Sequence, residues 1–240
     1  MKLEIKNVSK SFGGMQALNG VSITIDKPEI VGLIGPNGAG KTTLTNVIDG
    51  VHNPTRGEVW LNDERIDTFP PYQIARRGLG RTFQVTRAFR RMTVLENMMV
   101  PAMAINPTVS KKEVLDKAWD ILEFLTVEHL ANEYGRGLSG GQQKLLELAR
   151  LLMLNPDFVI LDEPFAGVHP KLQETIYGYI DKVHQEGKAI ILISHDMDSI
   201  FTLSERLIVL NYGEVIADGH PNQVKQDPTV IEAYLGVDEE

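Results

Sequence analysis

A glycine-rich segment between a buried strand and a helix constrains this chain more than any other feature. The segment reads Gly35-Pro36-Asn37-Gly38-Ala39-Gly40-Lys41-Thr42 and matches the pattern G-x-x-x-x-G-K-T. It follows the apolar run Ile30 to Ile34 and precedes a helical stretch that starts at Thr43. Glycines let the backbone curl so that its amides face a polyanion, and the helix start adds partial positive charge. The pattern predicts a phosphate-binding loop, in which Lys41 reaches the β- and γ-phosphates and the Thr42 hydroxyl ligates magnesium. We expect Thr43 to contact the nucleotide as well.

A second motif places two adjacent acids after a buried strand. The apolar run Phe158 to Leu161 is followed directly by Asp162 and Glu163. A buried strand delivers such side chains to its carboxyl end, where open α/β sheets bind their ligands. Asp162 would bind magnesium directly or through water, and Glu163 would orient or deprotonate an attacking water. Two acids could equally form a solvated turn, and the phosphate-binding loop upstream favours the catalytic interpretation.

A third motif, Leu138-Ser139-Gly140-Gly141-Gln142, precedes a helix that we expect to start at Gln143. Ser139 is a favourable helix cap, so an ordinary capped helix start would account for it. The pair of glycines indicates more, because it leaves backbone amides bare for the close approach of an anion.

Strands alternate with helices along most of the chain. Leu3 to Lys6 and Val21 to Ile25 alternate like half-exposed strands, whereas the run from Ala189 to Ile193 is continuously apolar, like a parallel strand covered on both faces. Two further runs, Leu207 to Leu210 and Val215 to Ala217, predict a hairpin with residues 211–214 between its strands. The fold class is therefore α/β, a P-loop NTPase core with a mixed parallel sheet and an antiparallel β subdomain.

The middle of the chain has a different character. Lys111 to Leu125 and Ser139 to Leu154 carry apolar residues at helical spacing, and no strand-like run separates them. We therefore expect an inserted helical subdomain at residues 87–156, with the ATP-binding core and its antiparallel part formed by residues 1–86 and 157–240.

Composition excludes several classes of protein. A formal net charge of −8 disfavours broad attraction to nucleic acid or anionic lipid, so we expect no nucleic-acid partner. The chain has no cysteine, which rules out disulfides and thiolate metal sites. The amino terminus lacks the pattern of a signal peptide, and the apolar run Met98 to Ile105 is far shorter than the roughly 20 residues that span a bilayer. We expect any membrane association to come through a protein partner.

The three motifs occur in this order, with His195 after the strand that starts at Ala189. Together they resemble the ATP-binding cassette proteins, and the resemblance covers essentially the whole chain. In that family the signature serine and glycines of one copy face the phosphate-binding loop of a second copy. The resemblance therefore implies that Ser139, Gly140, Gly141 and Gln142 serve ATP bound across an interface, with ATP and Mg²⁺ as cofactors.

Three further residues match family positions. Gln84 resembles the glutamine that contacts magnesium and relays its state to the membrane partner, although a surface amide is the alternative. His195 resembles the switch histidine that contacts the γ-phosphate and holds the glutamate and water in place; a capping or core histidine is the alternative. Phe12 resembles the aromatic residue that stacks on adenine, and simple core packing is its alternative. One position departs from the family, because His169 stands where many members have aspartate.

Several short stretches resemble the ATPase subunits of branched-chain amino acid importers. They are Phe12-Gly13-Gly14, residues 80–84, residues 92–97 and residues 213–219. This resemblance implies two transmembrane permease subunits, a second ATP-binding subunit that is either a copy or a homologue, and a solute-binding protein in the full complex. It also implies a cytoplasmic location, peripheral on the inner face of the cell membrane, with residues 85–103 forming part of a groove for a permease helix.

Two alternatives remain open. Residues 163–168 and the chain length also resemble the ATPase of the lipopolysaccharide exporter, although Arg81-Thr82-Phe83 is less like that branch. A soluble relative acting on ribosomes or DNA is disfavoured, because the chain has one cassette, no long heptad tract and an acidic balance.

Overall fold

The computed structural model describes residues 1–83 and 88–235. The strands are β1 (Leu3–Phe12), β2 (Met15–Ile25), β3 (Ile30–Ile34), β4 (Arg56–Leu61), β5 (Glu64–Arg65), β6 (Leu79–Arg81), β7 (Phe158–Asp162), β8 (Ala189–Ile193), β9 (Arg206–Asn211) and β10 (Glu214–Gly219). The helices are α1 (Lys41–Ile48), α2 (Pro71–Arg76), α3 (Val94–Ile105), α4 (Lys111–Phe124), α5 (Gly140–Leu154), α6 (Pro170–Gln185), α7 (Met197–Leu203), α8 (Pro221–Val224) and α9 (Pro228–Leu235).

The central sheet has six strands in the order β10-β9-β3-β8-β7-β6. All of its neighbouring strands run parallel except β10, which is antiparallel to β9. Every residue of β3, β7 and β8 is buried, as continuous apolar runs predict for strands covered on both faces. The carboxyl ends of these three strands therefore meet at one edge of the sheet.

The hairpin formed by β9 and β10 is tighter than the sequence indicates. Asn211 pairs with Glu214, so only Tyr212 and Gly213 form the turn instead of the four residues expected. Both turn residues have positive φ, 46° and 80°, which matches the right-handed twist of a two-residue hairpin. The Gly213 amide donates to the Ala39 carbonyl at 2.9 Å, so the turn packs directly against the phosphate-binding loop.

A second sheet of four strands, in the order β2-β1-β4-β5, is antiparallel throughout. Its first two strands are much longer than the short alternating segments suggest, because register shifts let the pairing continue to Phe12 and Met15. Alternate residues of β3 divide the core. Val31 and Leu33 pack with the antiparallel sheet, whereas Ile30 and Ile34 pack with the helical region.

The helical region contains α3, α4 and α5. The apolar run with Pro101 lies inside α3, which begins with a reciprocal cap between Thr93 and Glu96. Helix α5 begins at Gly140 rather than at Gln143, because Ser139 and Gln142 cap each other and draw both glycines into the first turn. In the described part of the chain, no helix has the length and apolar character needed to cross a bilayer.

Candidate functional site

The phosphate-binding loop connects β3 to α1 and depends on glycine at two positions. Gly35 and Gly40 have φ of 148° and 105°. A Cβ on Gly35 would lie 2.1 Å from the Leu210 carbonyl oxygen, and one on Gly40 would lie 2.7 Å from the Ala17 carbonyl oxygen. Any side chain here would collide with neighbouring backbone, so the loop can curl only with glycine at both positions.

Lys41 folds back over this loop. Its Nζ donates to the carbonyls of Gly35 at 2.6 Å and Pro36 at 3.0 Å. Burial lowers the pKa of the Lys41 ammonium, while the carboxylates of Glu163 and Asp162 favour its charged form. The loop therefore presents a partly desolvated cation beside its backbone amides.

A cavity of about 530 Å³ opens in front of the loop. Its lining residues come from the β1–β2 hairpin and the start of β2, the loop, the carboxyl ends of β7 and β8, and the turn after β9. They are Met15, Gln16, Ala17, Asn37, Gly38, Ala39, Gly40, Lys41, Thr42, Thr43, Asp162, Glu163, Ile193, His195 and Tyr212. The volume lies in the range of pockets that take ligands of nucleotide size. The structure thus brings the loop, both acids and the histidine to one cavity.

The two acids reach the cavity by different means. Asp162 is the last residue of β7, and its side chain is only 7 % exposed. Glu163 follows with a φ of 50°, a left-handed conformation that is strained for a non-glycine residue. Its amide donates to the Ile193 carbonyl at 2.8 Å, which holds the residue at the edge of the cavity that it lines. Strain of this kind is concentrated at functional sites.

Glu163 and His195 form the reactive pair of the cavity. The His195 amide donates to Glu163 Oε2 at 3.3 Å, and its ring Nε2 lies 3.3 Å from Oε1. The ring contact is close, but the two groups are not aligned as a hydrogen bond, so the buried Oε1 has no hydrogen-bond partner within the described residues. An unsatisfied buried acceptor is costly, and a water molecule held there would satisfy it.

Thr42 and Asp162 fit a magnesium ion better than a transition metal. Both line the cavity beside the loop, one with a hydroxyl and one with a carboxylate. The described residues hold no group of three or more acidic, histidine or cysteine side chains that could bind a metal. Mg²⁺ does not need one, since it is usually held by one or two carboxylates, substrate phosphates and water.

The four signature residues lie elsewhere. Ser139 Oγ accepts from the Gln142 amide at 3.3 Å, and Gln142 Oε1 accepts from the Ser139 amide at 2.9 Å. Gly140 has open space where a Cβ would lie, and a Cβ on Gly141 would touch only the end of Leu172. None of Ser139, Gly140, Gly141 and Gln142 lines the cavity of their own chain. That placement is the one required if they act on a nucleotide held by another copy.

The roles predicted for two other residues, Phe12 and Gln84, are not tested by this cavity. Phe12 ends β1, is 39 % exposed and is not among the residues that line the cavity. Its ring meets His52 edge-on at 5.2 Å, and Lys10 Nζ lies 4.9 Å above it. Adenine stacking by Phe12 stays a prediction. Gln84 lies outside the described residues, so its magnesium contact also stays a prediction.

His169 has a structural role that the sequence did not reveal. Its Nδ1 accepts the Lys171 amide at 3.2 Å and so caps α6. Aspartate is a strong residue at such a position, and the imidazole nitrogen replaces its carboxylate as acceptor. The same His-Pro arrangement recurs at His220, whose Nδ1 caps α8.

Sequence reasoning missed Arg81 and Tyr212. Arg81 forms ion pairs with Asp162 and Asp49, and Tyr212 lines the cavity with 84 % of its surface exposed. No local pattern marks either residue. The ion pairs of Arg81 join it to residues that are distant in sequence.

The chain matches two protein-family models. The model described as ABC transporter matches residues 18–166, and the model described as branched-chain amino acid ATP-binding cassette transporter matches residues 214–240. The chain is 38 % identical over 248 aligned residues to the high-affinity branched-chain amino acid transport ATP-binding protein BraF of Pseudomonas aeruginosa. The match covers 98 % of this chain and 97 % of that protein.

Solved structures agree with these matches. An ATP-binding cassette of an ABC transporter in its ADP conformation has a TM-score of 0.84 and 35 % identity, covering 98 % of this chain and 99 % of that one. A dimeric cassette in a post-hydrolysis state, bound to ADP and Pi, has a TM-score of 0.83 and 30 % identity. It covers 91 % of this chain and 98 % of that one.

Proposed function

The chain belongs to the ABC transporter family of ATP-binding proteins, and on that premise we propose that it powers the import of branched-chain amino acids or a related small polar solute. As a member of this family it is an ATPase whose hydrolysis of ATP is coupled to transport. The observation that carries the importer assignment is the match of residues 214–240 to the branched-chain amino acid model, together with 38 % identity to an importer subunit.

ATP binds with its phosphates in the loop that connects β3 and α1. The backbone amides and the start of α1 receive the negative charge, and Lys41 leaves the Gly35 and Pro36 carbonyls to bind the β- and γ-phosphates. Thr42 and Asp162 would hold Mg²⁺, which would neutralise charge on the phosphate oxygens.

Hydrolysis depends on Glu163 and His195. Glu163 Oε1, which accepts no hydrogen bond from the described residues, would accept one from water and orient it for in-line attack on the γ-phosphorus. The bond from that phosphorus to the bridging oxygen breaks, and the water's proton passes to the carboxylate or the phosphate. His195, with a side chain that is 63 % exposed, holds the carboxylate and turns toward the γ-phosphate.

A second ATP-binding subunit completes the site. Because Ser139 to Gln142 do not line the cavity of their own chain, we assign them to the nucleotide of the partner. ATP would then join the two subunits, and its hydrolysis would let them separate. Loss of contacts to the γ-phosphate is the trigger for reopening.

A groove beside α5 fits a helix of a permease subunit. Its volume is about 380 Å³, and its lining residues are Arg81, Phe83, Phe89, Pro101, Glu147, Arg150, Leu151 and Leu154. The lining is mainly apolar. Burial raises the pKa of the Glu147 carboxyl, although the hydrogen bond from the Phe83 amide acts in the opposite direction. The apolar face of an amphipathic helix would complement this surface.

Affinity purification of the tagged chain from gently solubilised native membranes tests the proposal. We expect two multispanning proteins and a second ATPase to copurify, with a solute-binding protein that binds leucine, isoleucine or valine. The variant Phe89→Asp should lose the multispanning proteins, and Tyr72→Asp, at an exposed residue outside the groove, should retain them.

Other outcomes would redirect the assignment. Copurification with lipopolysaccharide-export components would replace import by export and keep the ATPase chemistry. Recovery with ribosomes or DNA, and without any membrane protein, would overturn the transport assignment.

A further inference from the structure

The side chain of Arg81 lies between the carboxylate of Asp162 and helix α1. It ends β6 and is only 4 % exposed, although arginine is seldom buried unless paired. Its Nη2 donates to Asp162 Oδ2 at 2.9 Å, and its Nη1 donates to Asp49 Oδ2 at 2.7 Å and Asn46 Oδ1 at 2.8 Å. One guanidinium therefore connects the acid at the end of β7 to the helix that follows the phosphate-binding loop.

The contact uses one oxygen of Asp162. Its Oδ2 is held by Arg81, and the residue also lines the nucleotide cavity. A guanidinium held at both ends fixes the position of the one carboxylate oxygen that it binds, which a flexible ammonium does less well. With Oδ2 fixed from the sheet side, Oδ1 is the atom left to face the cavity.

The backbone around Asp162 is fixed by the same short segment. The Asp162 amide donates to Thr82 Oγ1 at 3.0 Å, and the Thr82 amide donates to the Ile160 carbonyl at 2.9 Å. Arg81 and Thr82 thus hold the side chain and the main chain of one acid. Glu163 is held by other residues, because its amide donates to the Ile193 carbonyl and its Oε2 accepts from the His195 amide.

We propose that Arg81 is a positioning residue that holds Asp162 with one oxygen directed toward Mg²⁺ and thereby sets the affinity of the site for the metal. This inference rests on the proposed role of Asp162. It predicts that removal of Arg81 weakens the effect of Mg²⁺ on nucleotide binding and leaves metal-free nucleotide binding unchanged. Loss of a residue that orients a metal ligand usually lowers metal affinity by about 10- to 100-fold.

Fluorescence titration of the full chain with a methylanthraniloyl derivative of ADP tests this inference without any measurement of turnover. The affinity is measured in EDTA, and Mg²⁺ is then titrated at a fixed nucleotide concentration. For Arg81→Ala we expect the half-saturating Mg²⁺ concentration to rise by about 10-fold or more, with less than a twofold change in EDTA.

Asp49→Asn is the matched control. It removes the other ion pair of Arg81 but leaves the contact with Asp162, so its half-saturating Mg²⁺ concentration should stay within about threefold of wild type. If Arg81→Ala fails to fold, Arg81→Lys replaces it. Lysine keeps the charge but cannot reach both carboxylates as a fork, so we expect an intermediate rise.

The outcomes separate this inference from the proposed function. If Arg81→Ala lowers nucleotide affinity equally with and without Mg²⁺, Arg81 only stabilises the fold, and the inference is wrong. A half-saturating Mg²⁺ concentration that stays at the wild-type value would also refute the inference. A wild-type chain that binds nucleotide but shows no response to Mg²⁺ would contradict the magnesium site itself.

Discussion

Glycine is required at position 35 by a neighbouring backbone atom, but at position 38 only by its own backbone angle. A Cβ on Gly35 would lie 2.1 Å from the Leu210 carbonyl oxygen, whereas one on Gly38 would have no heavy atom within 4 Å. Gly35→Ala must move either the loop or β9, and we expect the free energy of unfolding to fall by about 3 kcal/mol. Gly38→Ala should lower the free energy of unfolding by about 1 kcal/mol, because alanine is disfavoured in a left-handed conformation.

Urea denaturation of the two variants checks this prediction. Equal destabilisation would contradict it, because the close Leu210 carbonyl should make the substitution at Gly35 the more destabilising of the two.

At the residue scale, local patterns predicted which side chains meet at the cavity but not the residues that hold those side chains in place. Lys41, Asp162 and Glu163 line one cavity, as their motifs indicated. Arg81 could not be predicted, since the residue it pairs with lies 81 positions further along the chain. The left-handed conformation of Glu163 was equally hidden, because it depends on the Ile193 carbonyl of a different strand.

At the element scale, the cap of α6 gives a prediction of its own. His169 accepts the Lys171 amide through Nδ1, a contact that alanine cannot make. We expect His169→Ala to lower the free energy of unfolding by about 1 kcal/mol, and His169→Asn, which restores an acceptor, to remain close to wild type. Thermal unfolding followed by circular dichroism measures both, and a His169→Asn variant as unstable as His169→Ala would contradict the capping role.

Continuously apolar strands and capped helices were predictable from the sequence. Very short strands and the exact length of turns were not. Strands β3, β7 and β8 follow from apolar runs, and α5 follows from its helical spacing. Strand β6 has only three residues, too few to show a period, yet it is the strand that places Arg81. The turn between β9 and β10 was predicted too long, because its pairing extends one residue further on each side.

At the scale of the whole molecule, the order of strands lies beyond sequence reasoning. β3 lies between β8 and β9, which come more than 150 residues later in the chain. No local sequence pattern can therefore indicate that these strands pair. The consequence for function is direct, because this order brings the phosphate-binding loop, Glu163 and His195 to one cavity. The signature residues Ser139, Gly140, Gly141 and Gln142 do not line that cavity.

The central claim is that this chain hydrolyses ATP with Glu163 as the residue that orients or deprotonates water. Single-turnover hydrolysis of γ-³²P-labelled ATP, measured beside equilibrium ATP binding, tests it most directly in wild type and Glu163→Gln. Glu174→Gln, an exposed glutamate of α6, serves as the control. We predict that Glu163→Gln binds ATP as wild type does and hydrolyses it at least about 100-fold more slowly, with the ATP-bound dimer accumulating. Hydrolysis by Glu163→Gln at the wild-type rate would contradict the claim.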